Sequence, residues 1–200
     1  MRIRSVGLFT LICLISILTL FIKQEFIESR IAAFEVMQDR GDMGQIHILN
    51  ALTLFGIPFY YLWKFTITTF FLWVGCFMFG YRITFSSLFK ITIMAEPVFL
   101  VADLSKVVWF FVSRGDPSYW DIKAFYPLSL INLVNYEDIG PQWHYVLKSL
   151  NLFEITYWLI LVYFIHYKAE KRLNYAYAIV FSSYVLFYMA WMVFYVVTYK

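Results

Sequence analysis

The stretch YAYAIVFSSYVLFYMAWMVFYVVTY, residues 175–199, contains no charged side chain. Crossing a hydrocarbon core of about 30 Å takes roughly 20 helical residues, so this run reads as a membrane-spanning helix over about 174–198. Just before it stand Lys168, Lys171 and Arg172 around a single acid, Glu170. The next apolar run back, about 150–167, predicts another span, with Glu154 near its start.

Three further spans are predicted towards the N-terminus, over about 88–112, 58–81 and 5–22. The 88–112 run holds Glu96, Asp103 and Lys106. The apolar region 51–80 has one charge, Lys64, and is interrupted near its start by Gly56 and Pro58. Proline lacks a backbone donor and restricts the residue before it, so the deep helix is expected to begin near Pro58. Residues 45–56 would then form an interfacial lead-in. In the first run, Arg2 and Arg4 precede an uncharged segment from Ser5 to Ile22, as in a signal peptide. No small-residue cleavage site follows and Ile12 before Cys13 is bulky, so the run reads as a retained helix.

The bulk numbers agree with this class. Of 200 residues, 62% are apolar and 14% charged, where soluble domains average about 45–50% and about 25%. A small soluble domain has too little interior for such a balance. A soluble enzyme, a disordered chain and a secreted disulfide scaffold are excluded. Cys13 and Cys76 lie in apolar runs with no C-x-x-C spacing and read as buried thiols. The expectation is one all-α membrane domain over residues 1–200, a bundle of about five transmembrane helices.

Two connections are long. In the first, Phe26, Ile27, Ile31, Phe34 and Met37 recur at helical spacing among Glu28, Arg30, Glu35 and Asp39. That pattern predicts an amphipathic helix ending near Gly41. The third connection, 114–149, carries Gly115, Pro117, Pro127, Gly140 and Pro141 around AFYPLSLINLVNY. That apolar piece is too short to span, so short interfacial or re-entrant helices are expected.

Lysine and arginine density sets the orientation. With the N-terminus inside, the inside segments carry Arg2, Arg4, Arg82, Lys90, Lys168, Lys171 and Arg172 against Glu170 alone. The outside segments are longer and hold most of the acids. An N-inside, C-outside multi-pass protein is expected. The net charge of +3 comes without any basic run, which speaks against a nucleic-acid partner.

Glu96, Asp103, Lys106 and Glu154 form the candidate site. A charge at mid-bilayer costs at least ~2.5–3.5 kcal/mol on insertion scales, so each needs a reason to be there. Asp103 and Lys106 stand three apart on one helix and can pair. Glu96 is seven residues before Asp103, on nearly the same stripe, with no partner nearby in sequence. The adjacent Pro97 frees backbone near residue 93. Two readings stand side by side: an ion or proton path, or a self-neutralising set that fixes helix packing.

No G-x-S-x-G, H-E-x-x-H, Walker A or G-x-G-x-x-G motif occurs. His47, His144 and His166 match no zinc spacing. Asp116 and Asp121 frame DPSYWD and read as a solvated loop. The expectation is a protein that is no enzyme and has no cofactor or metal. Lys168, Lys171 and Arg172 suit an anionic headgroup and serve equally as topology anchors.

Two stretches carry a family resemblance. One runs LWVGCFMFGYRITFSSLFKITIMAEPVFLV, the other LNLFEITYWLILVYFIHYKAEKRLNYAYAIVFSSYVLFYMAWMVF. Gly75 with Phe79-Gly80-Tyr81 precedes a serine turn. A Phe-Lys run leads to Glu96-Pro97, and Leu150-Asn151-Leu152-Phe153 opens the fourth span. Over about 60–198 the chain resembles the Yip (Ypt/Rab-interacting protein) family in its bacterial form. The resemblance implies a five-helix bundle with a cytosolic N-terminus, in a bacterial inner membrane. The acidic N-terminal arm of eukaryotic members is absent, which speaks against a small-GTPase partner.

Two functions follow as expectations. The first is a non-enzymatic membrane adaptor or scaffold, associating with lipid, a membrane-protein partner or further copies of itself. The second is a small transporter or channel component using the intramembrane charges.

Overall fold

The computed structural model describes residues 5–26, 43–112, 119–170 and 172–199, leaving aside the side chains of 24–26, 43–50 and 119–120. The amphipathic helix expected over 27–41, and Asp116, lie outside the described residues. Among the described residues the protein is all-helical, with no strand and one isolated bridge pair, Ser129 with Asn151.

The helices are α1 (Ser5–Phe26), α2 (Met43–Met78), α3 (Phe85–Ala95), α4 (Pro97–Val112), α5 (Tyr119–Ala124), α6 (Pro141–Ser149), α7 (Leu152–Ala169), α8 (Leu173–Val180) and α9 (Leu186–Thr198). A π-helical turn, Phe181–Val185, joins the last two. Three helical stretches are long and apolar enough to cross a membrane: Ser5–Lys23, Ala51–Met78 and Leu173–Thr198. They are compatible with an integral membrane protein. The run expected as a span over 88–112 is divided at Glu96 into helices of 11 and 16 residues. The one expected over 150–167 is an 18-residue helix that carries Glu154, His166 and Lys168.

The start of α2 differs from the sequence expectation. The helix does not begin at Pro58 but runs through it as 36 residues, about 54 Å at 1.5 Å per residue. Pro58 removes one intrahelical hydrogen bond, a loss that neighbouring helices can absorb in a packed bundle. The far end of α2 closes cleanly. Tyr81 N–H bonds the Cys76 carbonyl at 2.8 Å and Gly80 N–H bonds Phe77 at 3.0 Å. This is a Schellman cap, and it requires the φ of +73° that Gly80 adopts. Thr84 then caps α3, accepting from Ser87 N–H.

Two apolar clusters hold the bundle. Leu72 and Cys76 of α2, Leu88 and Ile91 of α3, Leu161 and Ile165 of α7, and Ile179 and Val180 of α8 form the larger. Ile12 and Cys13 of α1, Tyr61 and Phe65 of α2, Ile93 and Leu100 form the smaller. A close approach occurs at Gly75, where an added Cβ would stand 2.6 Å from Ser183 Oγ. Beside it the Phe71 and Phe187 rings stack at 3.6 Å. Polar contacts also cross between helices: Ser16 with the Tyr61 hydroxyl at 2.7 Å and Thr69 with Thr92 at 3.0 Å. The outward faces are strongly apolar; Phe55, Phe77 and Val197 are each more than three-quarters exposed, as suits lipid better than water.

The third connection is folded down onto α7. Leu130 N–H bonds the Leu150 carbonyl, and Leu152 N–H bonds the Leu128 carbonyl, both at 3.1 Å. Leu128 takes φ +53°, a left-handed conformation that a leucine tolerates only because its neighbours on both sides are fixed.

Candidate functional site

The site is built where α3 gives way to α4. Pro97 has no N–H, so the α3 ladder stops at Ala95 and restarts at Pro97. Glu96 stands at that break and is 1% exposed. Its Oε1 receives a hydrogen bond and ion pair from Lys64 Nζ at 2.7 Å. Lys64 lies near the middle of the apolar stretch of α2, and its Nζ also sits 4.0 Å from the centroid of the Phe99 ring. The other carboxylate oxygen, Glu96 Oε2, is buried with no hydrogen-bond partner among the described residues. The buried Tyr157 ring packs on Phe99 at 5.0 Å.

Asp103 and Lys106 line a separate cavity of about 310 Å³ between α1, α2 and α4. Lys23, Tyr60, Tyr61 and Tyr126 are among its other polar lining residues. Lys106 Nζ donates to the Ile122 carbonyl at 2.8 Å, tying α4 to α5. Tyr126, in the third connection, has its hydroxyl pKa raised, first by burial and then by the Asp103 carboxylate. It therefore stays a neutral donor at any physiological pH. Tyr61 lies one turn before Lys64 on α2 and also lines this cavity. Lys64 and Glu96 do not line it.

Glu154 is placed differently. It is 5% exposed at the start of α7, where Asn151 caps the helix by accepting from the Glu154 N–H at 2.8 Å. Its Oε1 accepts from Trp158 Nε1 at 2.9 Å and from the Tyr184 hydroxyl at 3.0 Å. It also borders a largely apolar cavity of about 820 Å³, whose walls include Trp109, Leu128, Leu133 and Ile155.

The four predicted residues therefore divide. Glu96 sits in an ion pair, Asp103 and Lys106 line a separate cavity, and Glu154 is anchored by two aromatic donors. Lys64 is the member that sequence reasoning left unassigned. Its signal was visible: a single cation inside a long apolar helix needs an anion from another helix, and Glu96 was the acid without a neighbour. Among the histidines, His144 stacks on Tyr136 at 3.8 Å and bonds its carbonyl at 3.0 Å, and His166 keeps Nδ1 buried without a partner. Asp121 is exposed on α5, and no group of three His, Cys, Asp or Glu residues converges among the described residues. Compared with family models, with characterised proteins and with solved structures, the chain matches none.

Proposed function

We propose that this is a five-span integral membrane protein that carries protons or small cations through the Glu96 site, as a small transporter or channel component. The observation that carries it is the Lys64–Glu96 pair, its carboxylate buried with one oxygen unpartnered, together with the neighbouring cavity that Asp103 and Lys106 line. An ionisable group held inside a membrane bundle is by default a candidate for an ion or proton pathway. The fourth and fifth spans of this reading are α3 followed by α4 across the break at Glu96, and α7.

A proton entering by the cavity meets Asp103 in its wall, and the unpartnered Glu96 oxygen, two turns back along the chain, is the next acceptor. Its arrival neutralises the carboxylate and removes the partner of Lys64. Lys64 would then be the moving part and Glu96 the proton carrier. An adaptor or scaffold, the function towards which the Yip resemblance points, needs no titrating group here.

The test is proton flux into proteoliposomes of the full chain under an imposed membrane potential, read with an internal pH dye. Flux above protein-free vesicles, lost on Glu96→Gln and kept in Glu170→Gln, is the expected result. Wild-type vesicles no leakier than empty ones, with the protein folded and oriented, would remove this reading and leave the scaffold.

A further inference from the structure

The opposite end of the bundle holds a third cavity, of about 600 Å³, between the α2–α3 turn and the end of α7. Its lining includes Phe79, Gly80, Tyr81, Arg82, Lys168 and Tyr175. The two cations come from segments 86 residues apart in sequence, so the fold and not the local sequence brings them to one opening. Neither makes a hydrogen bond or ion pair with a described residue, and both are exposed. Tyr81 and Tyr175 face each other across the same opening, ring centroids 6.5 Å apart.

The surroundings favour an anion. At this end the described charges are Arg82, Lys90, Lys168 and Arg172 against Glu170. At the other end Asp121, Glu137 and Asp138 offset Lys23, Lys123 and Lys148. Phe79, Tyr81 and Tyr175 bring aromatic rings to this opening, the side-chain type enriched where a bilayer's headgroups begin. The backbone of the turn is fixed by the Gly80 cap, so the opening is preformed. Basic pockets between spans at an aromatic boundary suit lipid headgroups.

We infer that this cavity is a site for the phosphate of an anionic phospholipid, with Arg82 and Lys168 as its two charge partners and Tyr81 and Tyr175 as hydroxyl donors. Arginine's planar fork holds a phosphate in two-point contact, and the lysine adds a point charge. The apolar rim at Phe79 leaves the acyl chains in the bilayer. This site is independent of Glu96 and stands or falls apart from it.

The experiment is native mass spectrometry of the full chain in detergent, titrated separately with phosphatidylglycerol, phosphatidylcholine of equal chain length, and inorganic phosphate. Phosphatidylglycerol adducts are expected at lower concentration than phosphatidylcholine adducts. The Arg82→Gln/Lys168→Gln double variant should weaken phosphatidylglycerol binding about tenfold or more. Lys90→Gln, a neighbouring exposed cation outside the cavity, should leave it unchanged. Equal binding of the two lipids, or equal loss in Lys90→Gln, overturns the site as a diffuse charge effect. Binding of inorganic phosphate without any preference for phosphatidylglycerol also overturns it, in favour of a soluble anion. All variants alter exposed side chains, and circular dichroism with gel filtration confirms that each is folded.

Discussion

Glu96 and Lys64 show how a single residue's cost decides its neighbours. A lone buried charge is expensive, and removing one member of a buried pair strands the other, at about 3–5 kcal/mol. Glu96→Gln should therefore lower stability by about that amount, measured as thermal unfolding in detergent. Replacing both members by apolar residues, Lys64→Met with Glu96→Leu, should recover most of it, because well-packed apolar pairs often match buried ion pairs. A double variant as unstable as the single one would mean that the pair is not what Lys64 answers to. The same logic at Glu154 predicts a graded series. Tyr184→Phe removes one of two donors and should cost roughly 0.5–1.5 kcal/mol. Glu154→Leu strands both Trp158 Nε1 and the Tyr184 hydroxyl, at about 1–3 kcal/mol for each. Equal losses in the two variants would contradict the bonding described.

At the scale of elements, the contact of α2 with the π-helical turn is tight at Gly75 and easily tested. A Cβ at residue 75 would stand 2.6 Å from Ser183 Oγ and 2.7 Å from its Cβ. Gly75→Val should destabilise by about 1–3 kcal/mol through overpacking, and Ser183→Gly in the same chain should restore part of it. No rescue in unfolding midpoints would place the strain elsewhere. Gly80 is a different case, with open space around it and a left-handed backbone. Gly80→Ala should cost about 1–2 kcal/mol from backbone strain alone, with no partner able to rescue it. The π turn has its own cause for notice: Ser183 Oγ donates to the Ile179 carbonyl at 2.6 Å, satisfying a backbone group that the widened turn would leave weak.

At the scale of the whole molecule, the charge distribution predicts topology. The α2–α3 turn and the end of α7 should face one side, and the third connection the other. Asn135 is exposed in that connection and Lys168 is exposed at the end of α7. A membrane-impermeant maleimide applied to intact cells should label Asn135→Cys, and should label Lys168→Cys only after permeabilisation. The native Cys13 and Cys76 are buried and should give no background. Labelling of both positions from one side would require a different number of crossings between them.

Sequence by itself settled what depends on composition and run length. Residues 175–199 carry no charge, and no packing arrangement could make that stretch comfortable in water. The same holds for Ser5–Lys23 and for most of Ala51–Met78. It also located the costly residues, because an ionisable group within an apolar run is conspicuous wherever the chain goes. The start of α2 was misread at Pro58 because a local rule about proline ignores neighbours that can absorb one lost hydrogen bond. Pairing was left to the tertiary structure. Lys64 meets Glu96 across 32 residues, Tyr184 meets Glu154 across 30, and Arg82 comes to the same cavity as Lys168. Such choices depend on how each helix is rotated about its axis. That rotation is fixed by close approaches such as Gly75 on Ser183 and by the break at Pro97, which act only once the helices are packed.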